Sequence, residues 1–425
     1  MRYNYILLFF FNFILARECM VDISDKRLSR PELTHSMISN SGRFKIHYDI
    51  EGDNAPDLTN ADASDYPDYV EEVGMIADFS YHVIVSNMGY KAHPSDGDEW
   101  YDIYLLDGYE YPNYGLNSTA ASSGGELGAS HLEISQTYEG YPKGNLPSMR
   151  ETVAHEYFHA VQRAYVPSAS QTYFYEMSSM WIEEIIVPDG DDWTLDIWVN
   201  AIGSFNDNPS GDFDTNTKEW GYSLALFGHY LSKVIDSKGQ SNQQESTIMR
   251  EIWEDFENGT YALDSFENVL SNAEYDTEFI DVWLDYVTLN IFNQNSDYEN
   301  YYFIDEQAVI PPISIEDISA SCSGELDLGT GVDFEFSEDS HIPNKAIIYS
   351  FNINALSTII NFSSLENMIG EIVVFEDCSN QIKFYSIGDI TQLDYHSNDQ
   401  IVTILSSNSN ILNTDIELGL QDCAE

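Results

Sequence analysis

Apolar positions recur first with the period of strands and then with the period of helices. Residues 43–48 (R-F-K-I-H-Y) alternate as a half-buried strand does. Residues 101–106 (Y-D-I-Y-L-L) predict a second strand and residues 131–134 (H-L-E-I) a third. Between the first two, Val70, Val73, Ile76, Ala77 and Ile84 share one side of a helix predicted over 67–88. A helix over 148–162 opens on a capping box, Ser148 with Glu151, just after Pro147, and Pro167 closes the segment beyond its end. Further helices are predicted over 171–187, stopped by Pro188-Asp189-Gly190, and over 220–234, 247–256 and 278–292. Beyond Pro311-Pro312 the texture changes. Short β-branched runs at 346–351, 371–375, 400–405 and 415–420 alternate with Asn, Ser, Asp and Gly turns, which predicts a β-sandwich over 315–425.

The first residues stand apart from this pattern. A basic start at Arg2 leads into an apolar run over 6–16 interrupted by Asn12, the form of a secretory signal peptide (1–16) cleaved after Ala16. The run is too short to span a bilayer comfortably, so no stable membrane insertion is expected after cleavage. A polar segment, 17–42, follows. The chain is therefore expected to be secreted or to sit at the cell surface. Its cysteines, Cys19, Cys322, Cys378 and Cys423, suit that compartment, and a disulfide is expected within the C-terminal region, its pairing left open.

Charge narrows the partners. Against 17 basic residues stand 72 acidic ones, a formal net charge of -55. Such a field repels nucleic acid and anionic lipid, and there is no basic stripe to offset it. A solvated acidic surface suited to salty surroundings accounts for the excess. No phosphate-binding glycine loop and no serine nucleophile elbow is present. Oligomeric state is not legible at this level.

The chemistry concentrates at His155-Glu156-Tyr157-Phe158-His159, an H-E-x-x-H motif inside a segment already predicted to be helical. Residues four apart lie one turn along the same helical face, so two imidazoles can reach one ion, and neutral imidazole nitrogens suit Zn²⁺. Glu156 is rotated away from that line but remains close. A carboxylate there can take a proton from zinc-bound water and hand it to a leaving amine. A third protein ligand is expected, leaving one position open for water. The next helix offers Glu176 and Glu183, 16 and 23 residues beyond His159, and spacing alone does not choose between them. No third His follows at metzincin spacing.

H-E-Y-F-H-A-V-Q followed by E-M-S-S-M-W-I-E-E resembles the gluzincin clan of zinc peptidases, and more narrowly a group of secreted bacterial metalloproteases whose second helix reads E-G-x-A-x-W-x-E. Similar segments lie at 43–49, 67–73, 101–107 and 220–227, so the resemblance covers about residues 43–300. Met177 and Ser178 depart from the residues usual after the clan's ligand Glu. The resemblance implies an α+β zincin-like catalytic region over 43–300, Zn²⁺ held by His155, His159 and Glu176, Glu156 as the base, and a protein or peptide substrate. It also implies that residues 131–134 form the edge strand on which an extended peptide pairs its backbone. Tyr222, within W-G-Y-S, and His229 lie where the clan places a donor to the oxyanion, and Tyr222 is the residue taken for that role.

A second cation is suggested by Asn60, Asp62, Ser64, Asp68 and Glu71, oxygen-bearing residues at an EF-hand-like spacing for Ca²⁺, although Asp65 stands where the sharp-turn glycine belongs. An acidic loop leading into a helix reads equally simply there, with Asp68 favourable near the N-terminus. The expectation is thus a secreted zinc metallopeptidase, a hydrolase, with a β-sandwich accessory domain. Its rival is an inactive zinc-binding or calcium-stabilised surface adhesion protein. Retention of Glu156 favours the enzyme, because an inert zinc site has no use for that carboxylate.

Overall fold

A computed structural model describes residues 20–21, 30–61, 63–119, 125–168, 170–209, 211–259 and 261–314, with strand segments between 316 and 420. The signal segment, all four cysteines and Asp62 lie outside the described residues. The fold is of mixed α/β class. The chain divides into two compact units, Met1–Ser80 with Pro94–Ala160, and Tyr81–His93 with Val161–Glu425.

In the first unit one sheet is built from β1 (Met20–Val21), β2 (His35–Ile38), β3 (Phe44–Tyr48), β4 (Tyr101–Leu106), β5 (Gly115–Ser118) and β6 (His131–Ser135), in the order β1-β5-β6-β4-β3-β2. Strands β3, β4 and β6 are mutually parallel, while β5 runs antiparallel to β6 and β2 antiparallel to β3. β3 alternates buried and half-buried residues, whereas β4 and β6 are buried along their whole length, as interior strands covered on both faces are. The strand predicted at 131–134 is thus β6, and it is not an edge. β4 pairs along one side of it and β5 along the other. The intervening strand carries little local signal. Gly115-Leu116-Asn117-Ser118 has low strand propensity, and pairing with β6 is what gives its backbone groups their partners.

Helix α1 (Asp68–Tyr81) buries Val70, Val73, Ile76 and Ala77, then widens into a π-helical turn, His82–Asn87, in which Ile84 is also buried. Helix α2 (Asn145–Gln162) starts three residues before its predicted cap. Ser148 is therefore an interior residue of the first turns rather than the N-cap, and its carbonyl accepts from Thr152 Oγ1. Pro147 does not delay the start, because the first backbone N–H groups of a helix lack intrahelical partners anyway.

The chain continues through α2 into the second unit, whose helices are α3 (Thr172–Ile186), α4 (Asp196–Val199), α5 (Lys218–Ser223), α6 (Ala225–Tyr230), α7 (Ile248–Phe256), α8 (Ala262–Leu270) and α9 (Phe279–Asn290). The single helix predicted over 220–234 is three pieces: α5, α6 and a π-helical turn, Leu231–Ile235, with Leu224 between the first two. The unit's core is aromatic. Phe174 stacks on Trp253 with ring centroids 4.4 Å apart, and Phe213 meets Phe266, Phe279 and Trp283 edge-on at 5.4, 4.7 and 5.1 Å.

The C-terminal strands are β7 (Glu316–Ser319), β8 (Lys345–Asn352), β9 (Ser357–Phe362), β10 (Met368–Phe375), β11 (Ile382–Ser386), β12 (Ile390–Asp394), β13 (Gln400–Ser407) and β14 (Ile416–Leu420). They form a five-stranded sheet, β11-β10-β13-β8-β7, and a three-stranded sheet, β12-β9-β14. The five-stranded sheet belongs to the second unit's packing, since α9 lies against β10 and β13 and Phe292 meets Phe375 and Phe384. The segment leading to it is also tied down, with Asn206 Nδ2 donating to Pro311 O and Ser314 N to Asn206 O, both at 3.0 Å. Among the described residues no helix is long and apolar enough to cross a membrane.

One buried acid sets a pH dependence. Glu184 on α3 accepts from Trp193 Nε1 at 3.1 Å. Burial, with the Glu306 carboxylate beside it, pushes its pKa up from 4.5 to about 9. Between those values the folded chain holds a proton that the unfolded chain releases, so stability falls as pH rises from about 4.5 towards 9. Glu184→Gln keeps an acceptor for Trp193 and removes the ionisation. Thermal unfolding is expected to show the variant melting above wild type near pH 9 and alike near pH 4.5.

Candidate metal centre

Helix α2 is buried at every position from 151 to 163, so its residues face structure on all sides. One face belongs to the sheet, where the Tyr157 ring meets Phe44 at 5.2 Å and Tyr101 at 5.8 Å. Its contact with β5 is closer still. Asn117 Nδ2 donates to Glu156 O at 3.3 Å and also to Tyr101 Oη and Ser130 Oγ. A Cβ on Gly115 would fall 2.9 Å from Thr152 Cγ2 and 3.0 Å from Glu133 O, so only glycine allows the strand to lie this near the helix.

His155 and His159, one helical turn apart, bring their rings together edge-on, with centroids 4.7 Å apart and planes at 83°. One ligand atom each from His155, His159 and Glu176 lies within 4.8 Å of the others. All three side chains are buried, and so is Glu156. Glu183 does not join that cluster, although it too is buried. Seven residues along α3 amount to about two turns, roughly 10 Å of axial rise, which separates the two carboxylates.

The placement of Glu176 has two visible causes. Gln162, in the last turn of α2, donates through Nε2 to Tyr175 O at 2.9 Å, Ser178 Oγ at 3.1 Å and Ser179 Oγ at 2.9 Å, joining the helix that carries the histidines to the stretch of α3 that carries the carboxylate. On its other side α3 is pressed by α5. A Cβ on Gly221 would lie 2.5 Å from Tyr173 O and 2.9 Å from Glu176 Cβ. Neither Gln162 nor Gly221 stands out chemically in the sequence, though both lie in segments that carry the gluzincin resemblance. Asn117 has no sequence signal at all.

Two imidazoles and one carboxylate form the N,N,O donor set that Zn²⁺ takes in open sites. Burial strengthens the fit, because buried ionisable groups carry a desolvation cost of several kcal/mol each that a coordinated cation offsets. The donors present suit the ion.

The oxyanion candidates are differently placed. Tyr222 follows Gly221 on α5 and is buried, with its ring 5.2 Å from Trp198. His229 on α6 is wholly buried against Trp193 and shares a hydrogen bond from Nδ1 with Gln243 Oε1 at 2.8 Å. Burial lowers its pKa from 6.5 to about 4, so it is neutral at neutral pH and positioned as a packing residue. In the acidic loop, Asp68 accepts from Ala61 N at 3.1 Å and Asn60 Nδ2 donates to Ser64 O at 2.7 Å. Ser64 Oγ in turn donates to Tyr66 O at 2.9 Å, so the side chains of three of the five expected calcium ligands take part in local backbone bonds. Carboxylates also converge at Asp96, Asp98 and Asp102, where Arg30 pairs with the first and third, and at Glu184, Asp191 and Glu306.

Compared with protein-family models and with curated proteins, the chain gives no match.

The Gly221 contact is directly testable. Gly221→Ala is expected to force α5 away from α3 and to cost about 1–3 kcal/mol, the usual range for overpacking. Chemical unfolding of the two chains measures it, and an unchanged midpoint would show that the two helices have room to spare.

Proposed function

We propose that the chain is a secreted, zinc-dependent peptidase of the gluzincin type, with a zincin-like catalytic region and a C-terminal β-sandwich as an accessory domain. The observation that carries this reading is the convergence of His155, His159 and Glu176 within 4.8 Å, with Glu156 next to His155 on the same buried helix.

His155, His159 and Glu176 would hold Zn²⁺, which would act there as a Lewis acid and bring the pKa of a water down to about 7. The remaining chemistry belongs to the chain. Glu156 accepts a proton from the attacking water and delivers it to the amine nitrogen as the C–N bond breaks, so one water is consumed and one carboxylate and one amine are released. Its own place is set by Asn117, whose amide holds the Glu156 carbonyl. Tyr222, beside the Gly221 contact with Glu176, is the candidate donor to the oxyanion that develops on the scissile carbonyl. The peptide rail moves from β6 to β5. An extended substrate pairing with the outer edge of β5 would run along the strand that Asn117 ties to Glu156.

Two measurements test this. Purified wild type is expected to hold zinc in a one-to-one ratio; Glu176→Ala should lose it while Glu183→Ala retains it, as read by elemental analysis after dialysis. Glu156→Gln should retain zinc but lose hydrolysis of fluorescent casein by about 10²-fold or more, the scale of a removed general base. Equal casein hydrolysis by wild type and Glu156→Gln removes the peptidase reading.

A further inference from the structure

We infer that the groove between the outer edge of β2 and helix α1 binds an extended polypeptide segment with lysine or arginine at alternate positions. The site shares no residue with the metal centre and does not depend on the peptidase reading. A cavity of about 660 Å³ opens there, within the first unit, lined by residues of β2, the loop before α1 and one side of α1.

The backbone of β2 offers a place for one more strand. β2 ends the sheet, paired on its inner side with β3. Ser39 N donates to Phe44 O at 2.9 Å, and the same register places Met37 opposite Ile46. Bonding alternates along an antiparallel pair, so Ser36 and Ile38 turn their N–H and C=O groups outward. Among the described residues no strand takes them up, and such an edge is a template for an extended segment.

The side chains choose the occupant. A Cβ on Gly74 would lie 2.7 Å from Met37 Cε, so helix and strand meet closely there and form an apolar floor. Met75, 53% exposed, extends it. The rim is acidic, with Asp65, Asp68, Glu71 and Glu72. Glu72 pairs with Arg150 and Asp68 accepts from Ala61 N, which leaves the Asp65 and Glu71 carboxylates to a ligand. An apolar floor under an acidic rim suits lysine and arginine, whose aliphatic stems cover apolar surface while the charged heads reach outward. Successive side chains of a strand point to opposite faces, so every second residue of the bound segment faces α1. Separated cationic heads fit these carboxylates better than one metal ion does. Among the described residues, the groups of possible metal ligands that converge within 4.8 Å lie elsewhere. A second copy of this chain is the poorer occupant, because a formal net charge of -55 sets each copy against the other.

The probe is a fluorescent hexapeptide of alternating lysine and valine, blocked at both ends and titrated by anisotropy. Asp65→Asn with Glu71→Gln is expected to weaken binding roughly three- to tenfold, the scale of two partly exposed ion pairs. Glu278→Gln with Glu299→Gln removes as much charge from exposed positions outside the cavity and should bind as wild type does. Ile38→Pro removes an outward N–H while sparing the bonds to β3, and should weaken binding by about tenfold. Met75→Lys, at an exposed helix position, should weaken it as well by setting a like charge on the floor. Added peptide should slow hydrogen–deuterium exchange at residues 36–38 of wild type. Equal losses in the two double variants overturn the inference, because the peptide then reads only the overall charge. Exchange at 36–38 unchanged by the peptide overturns it too. So does a dimer of the free chain in sedimentation that Ile38→Pro dissociates, which gives the edge to a second copy.

Discussion

Four ionisable side chains, His155, Glu156, His159 and Glu176, lie buried on two consecutive helices, and the surrounding structure is organised by that constraint. Removing imidazoles and carboxylates from water is costly, and the cost is recovered only when partners converge on them. Convergence needs helices held at a fixed separation. Gln162 supplies three hydrogen bonds between α2 and α3, and Gly221 lets α5 press against the backbone beneath Glu176. On the sheet side, Gly115 and Asn117 do the same between β5 and α2. The donors are thus preorganised by neighbours that never carry charge themselves, which is the condition for a precise metal site.

Much of this architecture is legible from periodicity, and what is missed has a physical pattern. Strands β3, β4 and β6 and helices α1, α3, α7 and α9 lie where alternation and apolar faces place them, because each has a strong local signal that burial reinforces. The start of α2 is displaced because Ser148 and Glu151 read as a capping box, whereas the helix begins at Asn145 and takes Pro147 into its first turn. The helix over 220–234 breaks at Leu224, whose backbone (φ -88°, ψ 4°) leaves the helical range although the apolar pattern runs on. The strand β5 matters most. Its four residues, two of them Gly and Asn, become a strand only through pairing with β6, so the strand expected at the edge is an interior one.

For the site, chemistry was more legible than position. Motif spacing identifies the histidine pair, and family resemblance singles out Glu176 where spacing leaves Glu183 equally open. The carboxylate that lies with the imidazoles in the fold is Glu176. Residues that position the ligands by contact, Gln162, Gly221 and Asn117, have no chemical signature of their own, since a hydrogen bond or a missing Cβ becomes informative only once its partner is known.

The central claim, that two imidazoles and the Glu176 carboxylate share one zinc ion, is tested most directly by X-ray absorption at the zinc edge on the purified protein. The account predicts a first shell of two imidazole nitrogens and light oxygen donors at about 2.0–2.2 Å, with no sulfur, and loss of one oxygen contribution or of the zinc itself in Glu176→Ala. A shell containing sulfur at about 2.3 Å, or a spectrum unchanged in Glu176→Ala, would contradict it.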